Sequence, residues 1–217
     1  MIDHVIWDWN GTLLDDVEVS IEAMNRVLER YGLARLDRER YRDIFCFPVR
    51  DYYAKAGFDF TRVDFEKPAM EFIEEYYSLV SAAGLSRGAA EALDGFLESG
   101  IRQVILSASE RESLIGQVRR LGIENRFTDI LGIDNHFAAS KAELAQKWIS
   151  ENNIDKSGVV FIGDTLHDLE VAAAAGCACV LVSCGHQSEA VLKAAAGSVA
   201  GDIEEAAGMA QRLKIGV

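Results

Sequence analysis

A carboxylate at the end of a buried strand must be stabilised by something, and Asp8 occupies such a place. The apolar run Val5-Ile6-Trp7 leads into it, and Gly11-Thr12 turn the chain directly afterwards. In open parallel α/β sheets the ligand crevice lies at that kind of junction. A second apolar strand, Val159 to Ile162, ends in Gly163-Asp164, with Asp168 four residues further on. Two strand ends thus offer acids to one crevice. Crowded acids raise one another's pKa unless a hard cation with oxygen ligands shares the charge, and magnesium is the economical choice. The alternative is a pair of solvated acids capping a helix. Ser107 closes a third apolar strand, Gln103 to Leu106, where a hydroxyl and free backbone amides can bind a phosphate oxygen; a serine there can equally be the N-cap of the next helix. Lys141 opens the helix Ala142 to Ile149, an unfavourable place for a cation unless an anion is near.

Asp8-x-Asn10-Gly11-Thr12 resembles the nucleophile loop of the haloacid dehalogenase-like hydrolases, and Gly163-Asp164 with Asp168 resembles the acidic motif of the same family. Ser107 and Lys141 follow in the family's order between them. The resemblance implies a phosphatase of the phosphoglycolate phosphatase-like branch, acting on a small phosphorylated metabolite such as phosphoglycolate or a sugar phosphate. Asp8 would be the nucleophile that forms an aspartyl-phosphate, later hydrolysed by water. Mg2+ would sit on Asp8, the Asn10 main-chain carbonyl, Asp164 and Asp168. Ser107 and Lys141 would hold phosphoryl oxygens, with Gly11, Thr12 and Ala108 lining the same loops.

Three residues depart from the family pattern: Ala108 replaces a frequent Asn, Ala142 a frequent Pro, and Asn10 the usual Asp. The last matters most, because an amide can neither protonate a leaving alkoxide nor activate water. Loss of a positioned acid/base costs about a hundred- to ten-thousand-fold in rate. Three outcomes stay open: a slow phosphatase, an enzyme that takes acid/base function from its substrate or another side chain, or a phosphometabolite-binding protein without turnover. Dehalogenation needs no metal, against the acid pair, and phosphonate cleavage would need a cap lysine, for which only Lys55 stands near.

The elements that must position these groups change character along the chain. Val17 to Tyr31, Arg38 to Phe45, Val49 to Ala56 and Phe65 to Ser81 carry apolar residues at helical spacing. From Gly84 onward helices and strands alternate, with helices Ala89 to Ser99, Leu114 to Leu121, Leu169 to Ala175 and Ile203 to Lys214, and strands Thr128 to Gly132, Gly158 to Ile162, Ala178 to Val182 and Ser198 to Ala200. Repeated βα units imply an α/β fold with a mostly parallel, Rossmann-like sheet. Residues 1–15 and 84–217 would form the core, and 16–83 a helical cap inserted after the nucleophile loop. In the cap, Phe45 to Tyr53 is the candidate substrate-facing segment, with Arg50 as an anion-binding fork; the same aromatics could simply fill the cap core and Arg50 could pair with a surface acid. Trp7 and Trp9 are expected to pack on opposite faces of their strand. None of the histidines is assigned a catalytic role, and His167 is expected to face out of the site.

Composition agrees with one substantial core. The 217 residues are 49% hydrophobic and include two prolines, against long disordered linkers. A net charge of −13 without a clustered basic patch disfavours nucleic acid or an anionic membrane as partner. Cys46, Cys177, Cys179 and Cys184 lack Cys-x-x-Cys spacing and read as free thiols. No signal peptide or membrane-spanning run is seen, so a cytoplasmic location is expected.

Overall fold

The computed structural model describes residues 2–133, 140–196 and 199–213; residues 134–139 with His136, and also Ser198 and Lys214, lie outside them. A six-stranded sheet runs in the order β5-β4-β1-β6-β7-β8, formed by β1 (His4–Trp7), β4 (Arg102–Glu110), β5 (Asp129–Ile133), β6 (Val159–Gly163), β7 (Ala178–Val182) and β8 (Val199–Ala200). Every pairing in it is parallel. β1 lies between β4 and β6, with Trp7 opposite Ile105 on one side and Ile162 on the other. Strand order reverses about β1, which opens a crevice at the carboxyl ends. Asp8, Ser107 and Asp164 all sit at those ends.

Both faces of the sheet are covered. On one, Val5, Trp7 and Ile105 meet Leu93 and Phe96 of α5 (Ala89–Glu98), Leu114 and Val118 of α6 (Arg111–Arg120) and Ile203 of α10 (Ile203–Arg212). On the other, Ile6, Val104 and Phe161 meet Trp148 of α7 (Lys141–Glu151) and Val171 of α8 (Leu166–Ala175). Trp7 and Trp9 join the same cluster, which corrects the expectation of opposite faces: strand residues two apart point the same way. Their indole N–H groups donate to Gln103 and Gln117, at 3.0 and 2.7 Å, so neither ring is a ligand platform.

Between Asp15 and Gly84 the chain is helical. α1 (Val17–Arg30), α2 (Arg38–Ile44), α3 (Val49–Ala56) and α4 (Glu66–Leu79) bury their own cluster. Val17, Ile21, Met24 and Leu28 form its α1 stripe at spacings of three and four residues. The exit and return of this insertion are pinned by a short antiparallel ladder, β2 (Leu14–Asp15) on β3 (Gly84–Leu85). That ladder, and the short helix α9 (Glu189–Lys193), went unread in the sequence. Among the described residues no helix is long and apolar enough to cross a membrane.

Candidate active site

Local rules seat each functional group. Lys141 is the first residue of α7, whose start is fixed by a capping box between Ser140 and Glu143. Asp168 is the third residue of α8 and shares a capping box with Thr165 through Oδ2, which leaves Oδ1 to accept from Lys141 Nζ at 2.6 Å. One carboxylate thus joins the capping box of α8 and pairs with Lys141. Lys141 Nζ also donates to Asp8 Oδ1. Ser107 is not an N-cap, since Glu110 caps α6. The strand expected to end at Leu106 continues through Glu110, with its register against β5 shifting between those residues. This irregularity exposes Ala108 and leaves Ser107 buried; such bulges commonly re-aim side chains beside sites. Ser107 Oγ accepts from the Ser109 N–H at 3.0 Å, and its own proton meets only a long 3.5 Å contact with Asn10 Oδ1.

Asp164 is fully buried. It receives the His186 N–H at 2.6 Å, and the Thr12 hydroxyl lies 3.0 Å from it and 3.2 Å from Asp8. Gly11, at φ 73°, and Gly185 allow this approach: a Cβ on either would collide with the Asp164 carboxylate. Burial pushes the Asp8 carboxyl well above its ordinary range despite Lys141, and burial likewise raises Asp164 despite His186. At Asp168 burial also opposes ionisation, but Lys141 and Thr165 outweigh it and hold the pKa low. Burial disfavours the Lys141 ammonium too, yet Asp168 and Asp8 keep it charged.

Asp8, Asp164 and Asp168 each offer a carboxylate oxygen, and all these oxygens lie within 4.8 Å of one another. The donors are hard oxygens crowded in one place, a set that fits a divalent cation such as Mg2+.

Several residues at this centre escaped the sequence reading. His186 is buried in the loop after β7, with Nε2 3.4 Å from Asp16 Oδ1 and Nδ1 2.9 Å from the Tyr41 hydroxyl. Burial lowers its pKa, but Asp16, Asp164 and Asp8 outweigh that and raise it to about 9. Asp16 is held below its ordinary value: burial opposes ionisation, and His186, Tyr76 and Asn10 prevail. Arg42 of α2 donates to the carbonyls of Ser183, Gly185 and Gln187, at 2.8 Å for Gly185 and 2.9 Å for Gln187. Gln187 in turn bridges Leu166 N–H and Phe45 O. The one available signal was that this loop follows β7 at the same edge of the sheet.

Asn10 lies in the cluster, its side-chain amide committed to Asp16, Tyr76 and Ser109. Arg50 is set differently: exposed on α3, its guanidinium packs over Phe60 and Phe65, 4.9 and 5.9 Å from the ring centroids. A cation spread over two aromatic faces is satisfied without an anion. From the expected cap segment it is Phe45 and Phe47 that reach the core, Phe45 against His186 of the loop after β7 at 5.1 Å and Phe47 stacked on His167 of α8 at 4.7 Å.

A profile of the haloacid dehalogenase-like hydrolases matches residues 5–182. N-acetylmuramic acid 6-phosphate phosphatase of Pseudomonas aeruginosa is 29% identical over 188 residues, covering 84% of this chain and 82% of the relative. Phosphoglycolate phosphatase of Chromobacterium violaceum is 25% identical over 201 residues, covering 89% and 90%. A mutant of CbbY from Rhodobacter sphaeroides, solved in complex with xylulose-(1,5)bisphosphate, shares the fold at a TM-score of 0.69 and 21% identity, over 95% of this chain and 96% of that one. The chain belongs to the haloacid dehalogenase-like hydrolase family, in its phosphoglycolate phosphatase-like branch. Within it, the chain is a phosphoric monoester hydrolase.

Proposed function

We propose that this protein is a magnesium-dependent phosphatase of a small phosphomonoester, phosphoglycolate-like or a sugar phosphate, working through an aspartyl-phosphate on Asp8. The observation that carries the reading is the convergence of Asp8, Lys141 and the Asp164/Asp168 pair, from three separate stretches of chain, into one buried cluster with Ser107, from a fourth, beside it. Residues 1–15 and 84–217 act as the core, and 16–83 as a cap over the site. Relatives that act on N-acetylmuramic acid 6-phosphate and on phosphoglycolate, and the sugar bisphosphate held by CbbY, support this substrate class.

In the first step an Asp8 carboxylate oxygen bonds to phosphorus as the ester oxygen leaves with its electron pair. Lys141, already between Asp8 and Asp168, orients the nucleophile and holds a phosphoryl oxygen. The Ser107 O–H donates to another. Bound Mg2+, held by Asp8, Asp164, Asp168 and the Asn10 carbonyl, would offset the charge of nucleophile and phosphoryl group. Water then cleaves the acyl phosphate, releasing phosphate and regenerating Asp8.

Hydrolysis of p-nitrophenyl phosphate with and without magnesium tests this reading. Its phenolate leaves without protonation, so the assay does not depend on an acid at position 10. Magnesium-dependent hydrolysis is expected. Silence with magnesium, together with measurable phosphate binding, would contradict it and favour a binding protein. A phosphometabolite panel then identifies the substrate.

A further inference from the structure

Asp16 stands at the N-cap position of α1, yet its carboxylate makes no capping bond there. Forgoing a cap leaves a helix N-terminus less stable. The side chain turns inward instead, 1% exposed, and gathers four donors. Gly11 N–H and His186 Nε2 reach Oδ1 at 2.7 and 3.4 Å; Asn10 Nδ2 and the Tyr76 hydroxyl reach Oδ2 at 2.8 and 2.6 Å. Each donor leads elsewhere. Gly11 and Asn10 belong to the nucleophile loop, Tyr76 to α4 of the insertion. The His186 N–H holds Asp164, and its ring pairs with Tyr41 of α2.

We propose that Asp16 is a positioning residue: with Asn10, Tyr76 and His186 it forms a clasp that ties the insertion to the nucleophile loop. Position 10 carries an amide because this clasp requires one. The Asn10 Nδ2 faces the Asp16 carboxylate and the Tyr76 oxygen, at 2.8 and 2.7 Å, while its Oδ1 accepts from the Ser109 hydroxyl at 2.8 Å. A carboxylate at position 10 would set two like charges at hydrogen-bonding distance with no proton between them. The contact between positions 10 and 16 survives if both residues are exchanged together, because amide and carboxylate then trade places across it, although His186 loses the carboxylate it faces. On this view Asn10 is not a weakened acid. It transmits cap closure to the loop that bears Asp8.

The kinetic arm of the test rests on the phosphatase reading, and the exchange arm does not. Amide hydrogen exchange of α4 is measured in the full chain for wild type, Asn10→Asp, Asp16→Asn, the double exchange Asn10→Asp/Asp16→Asn, and Tyr76→Phe. In parallel, kcat and KM for p-nitrophenyl phosphate are measured with magnesium. Loss of a hydrogen bond to a charged group is worth enough for about a tenfold change. Each single substitution is therefore expected to speed α4 exchange about tenfold and to lower kcat by a similar factor, with a smaller change in KM. The double exchange is expected to do better than either single variant in both readouts, short of full recovery because His186 has lost its carboxylate. Tyr76→Phe keeps the ring, so it decides the matter even if a charged variant does not fold. Unchanged α4 exchange in Tyr76→Phe and Asn10→Asp, a rise in kcat for Asn10→Asp, or a double variant no better than the worse single one would each overturn the clasp. If wild type hydrolyses nothing, the phosphatase reading fails and α4 exchange alone decides.

Discussion

Lys141 has two carboxylate partners, and they do different work. Asp168 pairs with it at 2.6 Å and also completes the capping box that Thr165 opens on α8, so Asp168→Ala leaves a buried ammonium short of charge and removes one half of that box. Breaking such a pair costs about 3–5 kcal/mol, and a lower Tm is the expected result. Asp164 makes no bond to Lys141; its oxygens face Thr12, the His186 N–H and the shared carboxylate cluster. Asp164→Ala is expected to raise the magnesium concentration for half-maximal activity by roughly ten- to a hundredfold. An unchanged magnesium titration for that variant would remove Asp164 from the metal site. Asp164 was legible in the sequence because a carboxylate at the end of an apolar strand is anomalous wherever it occurs, and Asp168 because it follows four residues later. Asp16, Tyr76 and His186 were not: an acid beside a helix start reads as a cap, and neither a tyrosine in an amphipathic helix nor a histidine in a loop shows its partner until the fold brings them together.

At the scale of elements, the alternating βα pattern was readable from periodicity, and the four helices of the insertion likewise. The short pieces were not. β2 and β3 have two residues each, too few to show a period, and the irregular end of β4 depends on its pairing with β5. The loop after β7 shows what such pieces contribute: Gly185 has no side chain, so the Asp164 carboxylate can occupy the space beside it. Gly185→Ala is expected to displace that carboxylate and reduce activity with a higher magnesium requirement. Gly116→Ala, in α6 with nothing within 4 Å of the added carbon, is the control, expected to be stabilising by about 0.5–1 kcal/mol. Equal behaviour of the two in a magnesium titration would show that the Gly185 contact does not matter to the site.

For the whole molecule, the buried Asp16–His186 pair links insertion and core and carries its own pH signature. Because the folded-state pKa of His186 is raised from 6.5 to about 9, its contribution is complete below the unfolded value and disappears as pH rises through 9. Asp16 is lowered, so its share is present above about 3.8 and is lost as pH falls further. The stabilisation from His186 is on the order of 3 kcal/mol. Thermal melts of wild type and His186→Gln should therefore differ most near pH 6 and converge by about pH 10. A gap that stays constant across that range would mean the imidazole is not the charged partner of Asp16.

The most direct measurement is magnesium-dependent hydrolysis of p-nitrophenyl phosphate by wild type and by Asp8→Asn, with circular dichroism and thermal melting confirming that both are folded. The substitution keeps the side-chain shape and removes the nucleophilic charge. Wild type is expected to turn over only with magnesium, and Asp8→Asn to fall by about ten-thousand-fold or more, to background. Retained hydrolysis in a well-folded Asp8→Asn protein would contradict Asp8 as the nucleophile.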